Sequence, residues 1–207
     1  IYIASPNNPT GTHLTRNQIL DLMNKIPKNI IVVIDGAYVE YVEDINYDKG
    51  FSLLNEFDNL ILTRTFSKTY GLAALRIGWC YTSEKVANII NKIKPPFNTT
   101  AISQSIAIKA LEDKEYINDI VRLNFDVKRL FESQLKLLNI KVRNTEGNFS
   151  LIESSNETID KIYNHLINDG IITRRLNSYD LSNFLRISIG TKEEMEETIK
   201  SLQSFND

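Results

Sequence analysis

Short apolar runs recur along this chain, each bounded by turn-forming residues. Residues 1–4, 30–34, 60–63 and 76–82 read as buried strands of a largely parallel sheet. Between the first two, residues 14–26 follow a helical period, and Thr15 and Gln18 carry the spacing of a capping box. A β-α-β unit is therefore expected at the start. The spacing predicts further helices over 84–93, ended by Pro95-Pro96, and over 101–111 and 116–138. From Ile140 onward the pattern changes. Strands near 140–143, 149–153, 171–174 and 184–189 alternate with helices over 157–168 and 192–203. The expected fold class is α/β, with a mainly parallel sheet in a large domain and a small C-terminal α/β domain. The expected division is 1–115 for the large domain, 116–138 for a bridging helix and 139–207 for the small domain.

Composition narrows the function classes. A hydrophobic content of 42% can supply a real core. A net charge of −2 leaves no electrostatic footprint for nucleic acid. No apolar stretch approaches the ~20 residues that span a bilayer, so no membrane partner is expected. Cys80 is the single cysteine, which fits a reducing compartment and a cytoplasmic protein. Its place in a strand-like run favours a buried structural thiol. His13 and His165 stand too isolated to suggest a metal site.

The densest chemistry lies in the run Thr63-Arg64-Thr65-Phe66-Ser67-Lys68, which continues to Arg76-Ile77-Gly78-Trp79. Lys68 is flanked by hydroxyls and followed by an arginine, in a segment too apolar for an ordinary solvated lysine. Such a cluster can hold an aldehyde cofactor as an imine and bind its phosphate. Two other segments end apolar runs with polar groups: Ser5-Pro6-Asn7-Asn8-Pro9-Thr10-Gly11, and Asp35-Gly36-Ala37-Tyr38. Asp35 can pair with a pyridine nitrogen and keep it protonated, which makes the ring an electron sink. Asn8 and Tyr38 can donate hydrogen bonds to a phenolic oxygen. Thr65, Ser67 and Arg76 can bind phosphate. Asn8, Asp35 and Lys68 are all expected just after strands, where open α/β sheets bind ligands.

These segments, with Phe184-Leu185-Arg186-Ile187-Ser188-Ile189-Gly190-Thr191, resemble the fold-type I pyridoxal-phosphate enzymes and, among them, the histidinol-phosphate aminotransferase group. The resemblance runs nearly from end to end. It implies pyridoxal 5'-phosphate as cofactor, Lys68 as the Schiff-base lysine, Asp35 as the pyridinium partner, and Asn8 and Tyr38 as phenolate-oxygen ligands. Thr65, Ser67 and Arg76 become phosphate ligands, and Arg186 the residue that binds the substrate's anionic end. It also implies transfer of an amino group from a small-molecule donor to a 2-oxo acid, and a homodimer. Gly36 departs from the pattern, which usually has glutamate there. The chain opens at Ile1, and the family's N-terminal portion, with its ring-stacking aromatic, is expected to precede the matched region.

Two further residues belong to this reading. Arg174 ends an apolar run, and the resemblance suggests that it helps bind a phosphate or second anion. Arg175 would point the other way on a strand and is expected to be solvated. For Arg186, the plain alternative is an internal salt bridge to a glutamate. Two rival functions stay open: a decarboxylase of a phosphorylated amino acid, such as threonine or serine phosphate, and a non-catalytic module that keeps the fold.

Overall fold

The computed structural model describes residues 1–206, with side chains to Phe205. The chain divides into two compact units. One comprises residues 1–7 and 12–120, and the other 8–11 and 121–206. The division falls inside a helix and sets the short segment 8–11 with the second unit, so it differs at both places from the domain limits read from the sequence.

In the first unit, β1 (Tyr2–Ala4), β2 (Val32–Asp35), β3 (Leu60–Thr65) and β4 (Gly78–Thr82) lie side by side in chain order. The first three are parallel, and β4 runs antiparallel to β3. The parallel expectation therefore holds for three strands. The fourth reverses because the segment 66–77 returns as a loop, with Phe66 N–H donating to Ile77 O at 3.2 Å.

Alternation along β2 and β3 separates two faces. Val32, Ile34, Leu60 and Leu62 turn one way and pack with Ile19 and Met23 of α1 (Arg16–Lys25) and with Leu53 and Leu54 of a 3₁₀ segment, Phe51–Asn55. Burying each such side chain contributes roughly 1.5–3 kcal/mol. Asp35, Thr63 and Thr65 turn the other way. Thr15 caps α1 as expected, with Thr15 and Gln18 satisfying each other's backbone N–H.

Helices α2 (Glu84–Ile93) and α3 (Ala101–Glu112) follow the sheet. β4 is an edge strand, and Cys80 on it is exposed. The expectation of a buried thiol fails because Cys80 lies on an edge strand, on the same uncovered side as Gly78.

The second unit holds most of α4 (Lys114–Leu137) and a sheet ordered β5 (Lys141–Arg143), β6 (Phe149–Glu153), β8 (Phe184–Ser188) and β7 (Arg174–Arg175). All its pairings are antiparallel. Its core joins Val127, Phe131 and Leu135 of α4 to Ile152, Leu185 and Ile187 of the sheet. Residues of α5 (Asn156–Asn168) and α6 (Lys192–Asn206) complete it, among them Ile159 and Leu202. The strand expected over 171–174 shrinks to the two residues of β7.

Candidate active site

Two groups of functional side chains stand out, one in each unit. In the first unit, β2 and β3 are in register with Asp35 opposite Thr63. Thr63 Oγ1 donates to Asp35 Oδ1 at 3.1 Å. Asp35 is half-buried, and its second carboxylate oxygen has no partner among the described residues. The Thr63 contact was not foreseen. Its signal was available only after the strands were paired.

Beyond β3 the chain forms a closed loop. Gly71 N–H donates to Lys68 O and Leu72 N–H to Phe66 O, both at 2.9 Å. Phe66 and Ile77 turn inward with Tyr70, Leu72 and Leu75. Lys68 turns outward and is exposed, contrary to what the apolar run suggested, because its neighbours pack among themselves and leave the amine outside. Its Nζ lies 5.3 Å from the centre of the Tyr38 ring. Among the described residues it makes no hydrogen bond or ion pair. Tyr38 is 4% exposed, so a buried aromatic face lies beneath a reachable amine.

Thr65 and Gly78 are partners in the β3–β4 register, which brings Arg76 back beside the end of β3. Thr65 Oγ1 accepts the Ser67 N–H at 3.1 Å. Arg76 adopts a left-handed backbone conformation, φ 49°. One of its nitrogens donates to Ala73 O at 2.8 Å, and the rest of its fork is unengaged among the described residues.

Arg64 occupies the opposite face of β3 and is 6% exposed. It donates to the carbonyls of Thr63, at 2.7 Å, and of Lys49, and lies over the rings of Phe51 and Trp79. Burial pulls its guanidinium below the usual arginine range, partly offset by Tyr47, Glu40 and Asp35. A Cβ at Gly36 would overlap this guanidinium and come 2.6 Å from Val39 Cγ1. Gly36, the departure noted in the sequence, therefore leaves room for Arg64.

In the second unit, Arg186 Nη1 donates to Asn8 Oδ1 at 2.6 Å, and the guanidinium lies 5.4 Å over the Phe149 ring. Its buried Nε has no partner among the described residues. The internal salt bridge to a glutamate is thus not formed. Arg174 is the direct cross-strand partner of Arg186 and is exposed. It has no bonded partner among the described residues. Like charges opposite each other on a sheet are unfavourable unless an anion answers them. Arg175, expected to be solvated, instead pairs with Asp160 and donates to Asn177 Oδ1 at 2.9 Å. Its side chain is 14% exposed, because it turns back to α5 and the 177–182 loop.

The model of the family "Aminotransferase class I and II" matches residues 1–202. The chain belongs to that family. This aminotransferase chain is 41% identical over 208 aligned residues to the histidinol-phosphate aminotransferase of Pelagibacter ubique, covering 98% of the chain and 58% of the relative. The histidinol-phosphate aminotransferase of Sinorhizobium meliloti, solved with pyridoxal-5'-phosphate, superposes with a TM-score of 0.90 at 26% identity. That alignment covers 99% of the chain and 56% of the other protein. The L-threonine-O-3-phosphate decarboxylase of Porphyromonas gingivalis shares the fold, with a TM-score of 0.78 at 20% identity over 99% of the chain and 63% of its own length. The chain therefore spans little more than half of the proteins it matches.

The aminotransferase family depends on pyridoxal phosphate, and the donor set of the first unit fits that group. An amine without hydrogen bonds suits its aldehyde. A carboxylate with one oxygen to spare suits a ring N–H. Two hydroxyls and an arginine with spare donors suit a phosphate.

Proposed function

We propose that this chain carries the cofactor-binding and substrate-binding residues of an aminotransferase that moves an amino group from a phosphorylated amine to a 2-oxo acid. Histidinol phosphate is the donor that this reading favours. The observation that carries it is the cross-strand pair Arg174 and Arg186, two cations with no carboxylate bonded to either among the described residues. A substrate with a phosphate and a carboxylate, met in turn as donor and acceptor, would answer both.

When bound, pyridoxal phosphate supplies an electron sink for charge developing on the substrate's α-carbon. Lys68 would hold the cofactor through its amine, and the same amine would move a proton at the substrate's α-carbon. Asp35 would accept the ring N–H, while Thr63 Oγ1 donates to its Oδ1. Thr65, Ser67 and Arg76 bind the phosphate. Tyr38 would serve the phenolic oxygen, and within the second unit Asn8 steadies Arg186.

The deciding assay follows 2-oxo acid formation and carbon dioxide release together, with the complete protein and histidinol phosphate or threonine phosphate. Oxo-acid formation without carbon dioxide supports the reading. Carbon dioxide release supports a decarboxylase, and neither product supports a non-catalytic module.

Arg186→Ala is expected to weaken amino-acid and oxo-acid binding generally, and Arg174→Ala to penalise phosphorylated substrates selectively. A charged hydrogen bond contributes ~1.5–3 kcal/mol, so the selective loss should be about 10- to 150-fold in kcat/KM. Equal losses on phosphorylated and aromatic substrates would remove Arg174 as a phosphate reader.

The reading includes a homodimer. Its support is α3, which buries Ser103 and Ala107 while Ile102 and Ile108 stand 69% and 58% exposed. Sedimentation should show a dimer that Ile108→Asp weakens. An unchanged sedimentation coefficient in that variant would count against this face as the contact.

A further inference from the structure

Lys68 has an amine that no hydrogen bond aims, so its direction depends on how the backbone beneath it is held. The loop's own bonds, Gly71 to Lys68 and Leu72 to Phe66, close the loop upon itself. They do not tie it to the segment that follows β2. Side-chain contacts do. On the outer side, the Lys68 amine rests over the ring of Tyr38. On the inner side, Thr69 is 1% exposed, and its Oγ1 donates to Glu40 Oε2 at 3.3 Å. Tyr38 and Glu40 belong to one short stretch, since the 3₁₀ segment Val39–Tyr41 begins directly after Tyr38. Residues 38–40 and 68–69 are therefore clasped by a ring and by a half-buried polar bond.

The environment of Glu40 shows that this bond sits in a deliberately polar interior. Burial pushes its carboxyl above the usual carboxylate range. Its own backbone N–H, Thr69, Lys49 and Arg64 act the other way. Tyr41, Tyr47 and Tyr70 lie close enough for its charge to push their phenols up, and Tyr41 shares the Thr69 hydroxyl. A half-buried carboxyl is costly unless its partners are kept, so Glu40 and Thr69 hold each other in one geometry.

We propose that Thr69 and Glu40 form a positioning pair that sets the direction of the Lys68 amine by fixing the lysine's backbone to the segment carrying Tyr38. This rests on the reading of Lys68 as the cofactor-binding lysine. Neither residue of the pair touches the reacting atoms.

The test measures how fast Lys68 captures pyridoxal phosphate in the complete protein. Borohydride traps the product at timed intervals, and the mass of the Lys68 peptide quantifies it. Thermal unfolding is recorded alongside. Thr69→Val removes the donor while keeping the shape and should slow capture on the order of tenfold, the effect of losing one hydrogen bond to a charged acceptor. Thr69→Ser keeps the donor and should restore the rate to within about twofold. Glu40→Gln keeps an acceptor without charge and should fall between them. It also serves as the working variant if Thr69→Val does not fold. A double variant should lose no more than the worse single one, as coupled partners do.

Capture at the wild-type rate in Thr69→Val or in Glu40→Gln would overturn the proposal, as would a Thr69→Ser variant as slow as Thr69→Val. A wild-type protein that captures no pyridoxal phosphate at Lys68 would instead overturn the assignment of Lys68, and this pair's role with it.

Discussion

Replacing Lys68 with alanine is expected to abolish both the absorbance of the lysine-bound cofactor and turnover. Three features converge on this residue. Its amine is exposed, carries no hydrogen bond or ion pair among the described residues, and stands over the buried face of Tyr38. In the proposed site, alanine removes the covalent tether and the group that moves the α-proton. Loss of a positioned general base alone costs about 10²- to 10⁴-fold. The fold should survive, because an exposed lysine with no bonded partner supports little structure. Absorbance spectroscopy of the complete protein with added pyridoxal phosphate, set beside a thermal melt, checks both halves of this expectation. A Lys68→Ala protein that keeps the spectrum of a lysine-bound cofactor would show that another lysine carries it.

How much of this could be read before the structure depends on whether the cause is local. The capping box of Thr15 and Gln18 lies within one helical turn and was legible in the sequence. So was the end of α2 ahead of Pro95-Pro96, since proline cannot continue a helix. The residue types of the candidate site were legible for a similar reason: an amine, a carboxylate, hydroxyls and an arginine mark their chemistry wherever they lie.

What escaped depends on pairing at a distance. The direction of β4 leaves no trace in its own pattern of residues, and neither does its place at the sheet edge, so the exposure of Cys80 was misread. The burial of Arg175 is decided by Asp160 on a helix and by the 177–182 loop, beyond the reach of strand alternation in an element of two residues. Thr63 beside Asp35 becomes visible only when β2 and β3 pair, and Glu40 beside Thr69 only when the segments after those strands meet. Gly36 is explained in the same way, by a guanidinium that reaches it from another strand.

Asp35→Asn is expected to impair chemistry more than cofactor retention. In the proposed site Asp35 offers one oxygen to the cofactor ring, while Thr63 Oγ1 holds the other at 3.1 Å. Asparagine can occupy the same space and keep the contact with Thr63, so the pocket's shape and its phosphate-binding groups are left intact. It cannot supply the negative charge that stabilises a protonated ring nitrogen. The lost stabilisation falls on the transition state, where charge leaves the α-carbon, more than on the resting complex. Removing ~2–4 kcal/mol of such preorganised electrostatic stabilisation slows turnover roughly 30- to 1,000-fold. Cofactor affinity should change much less, since Lys68, Thr65, Ser67 and Arg76 still hold it. Parallel measurements of kcat and of pyridoxal phosphate retention on dialysis separate the two effects. Unchanged turnover would mean that another group protonates the ring. Cofactor loss matching the loss of turnover would make Asp35 a binding residue and no more.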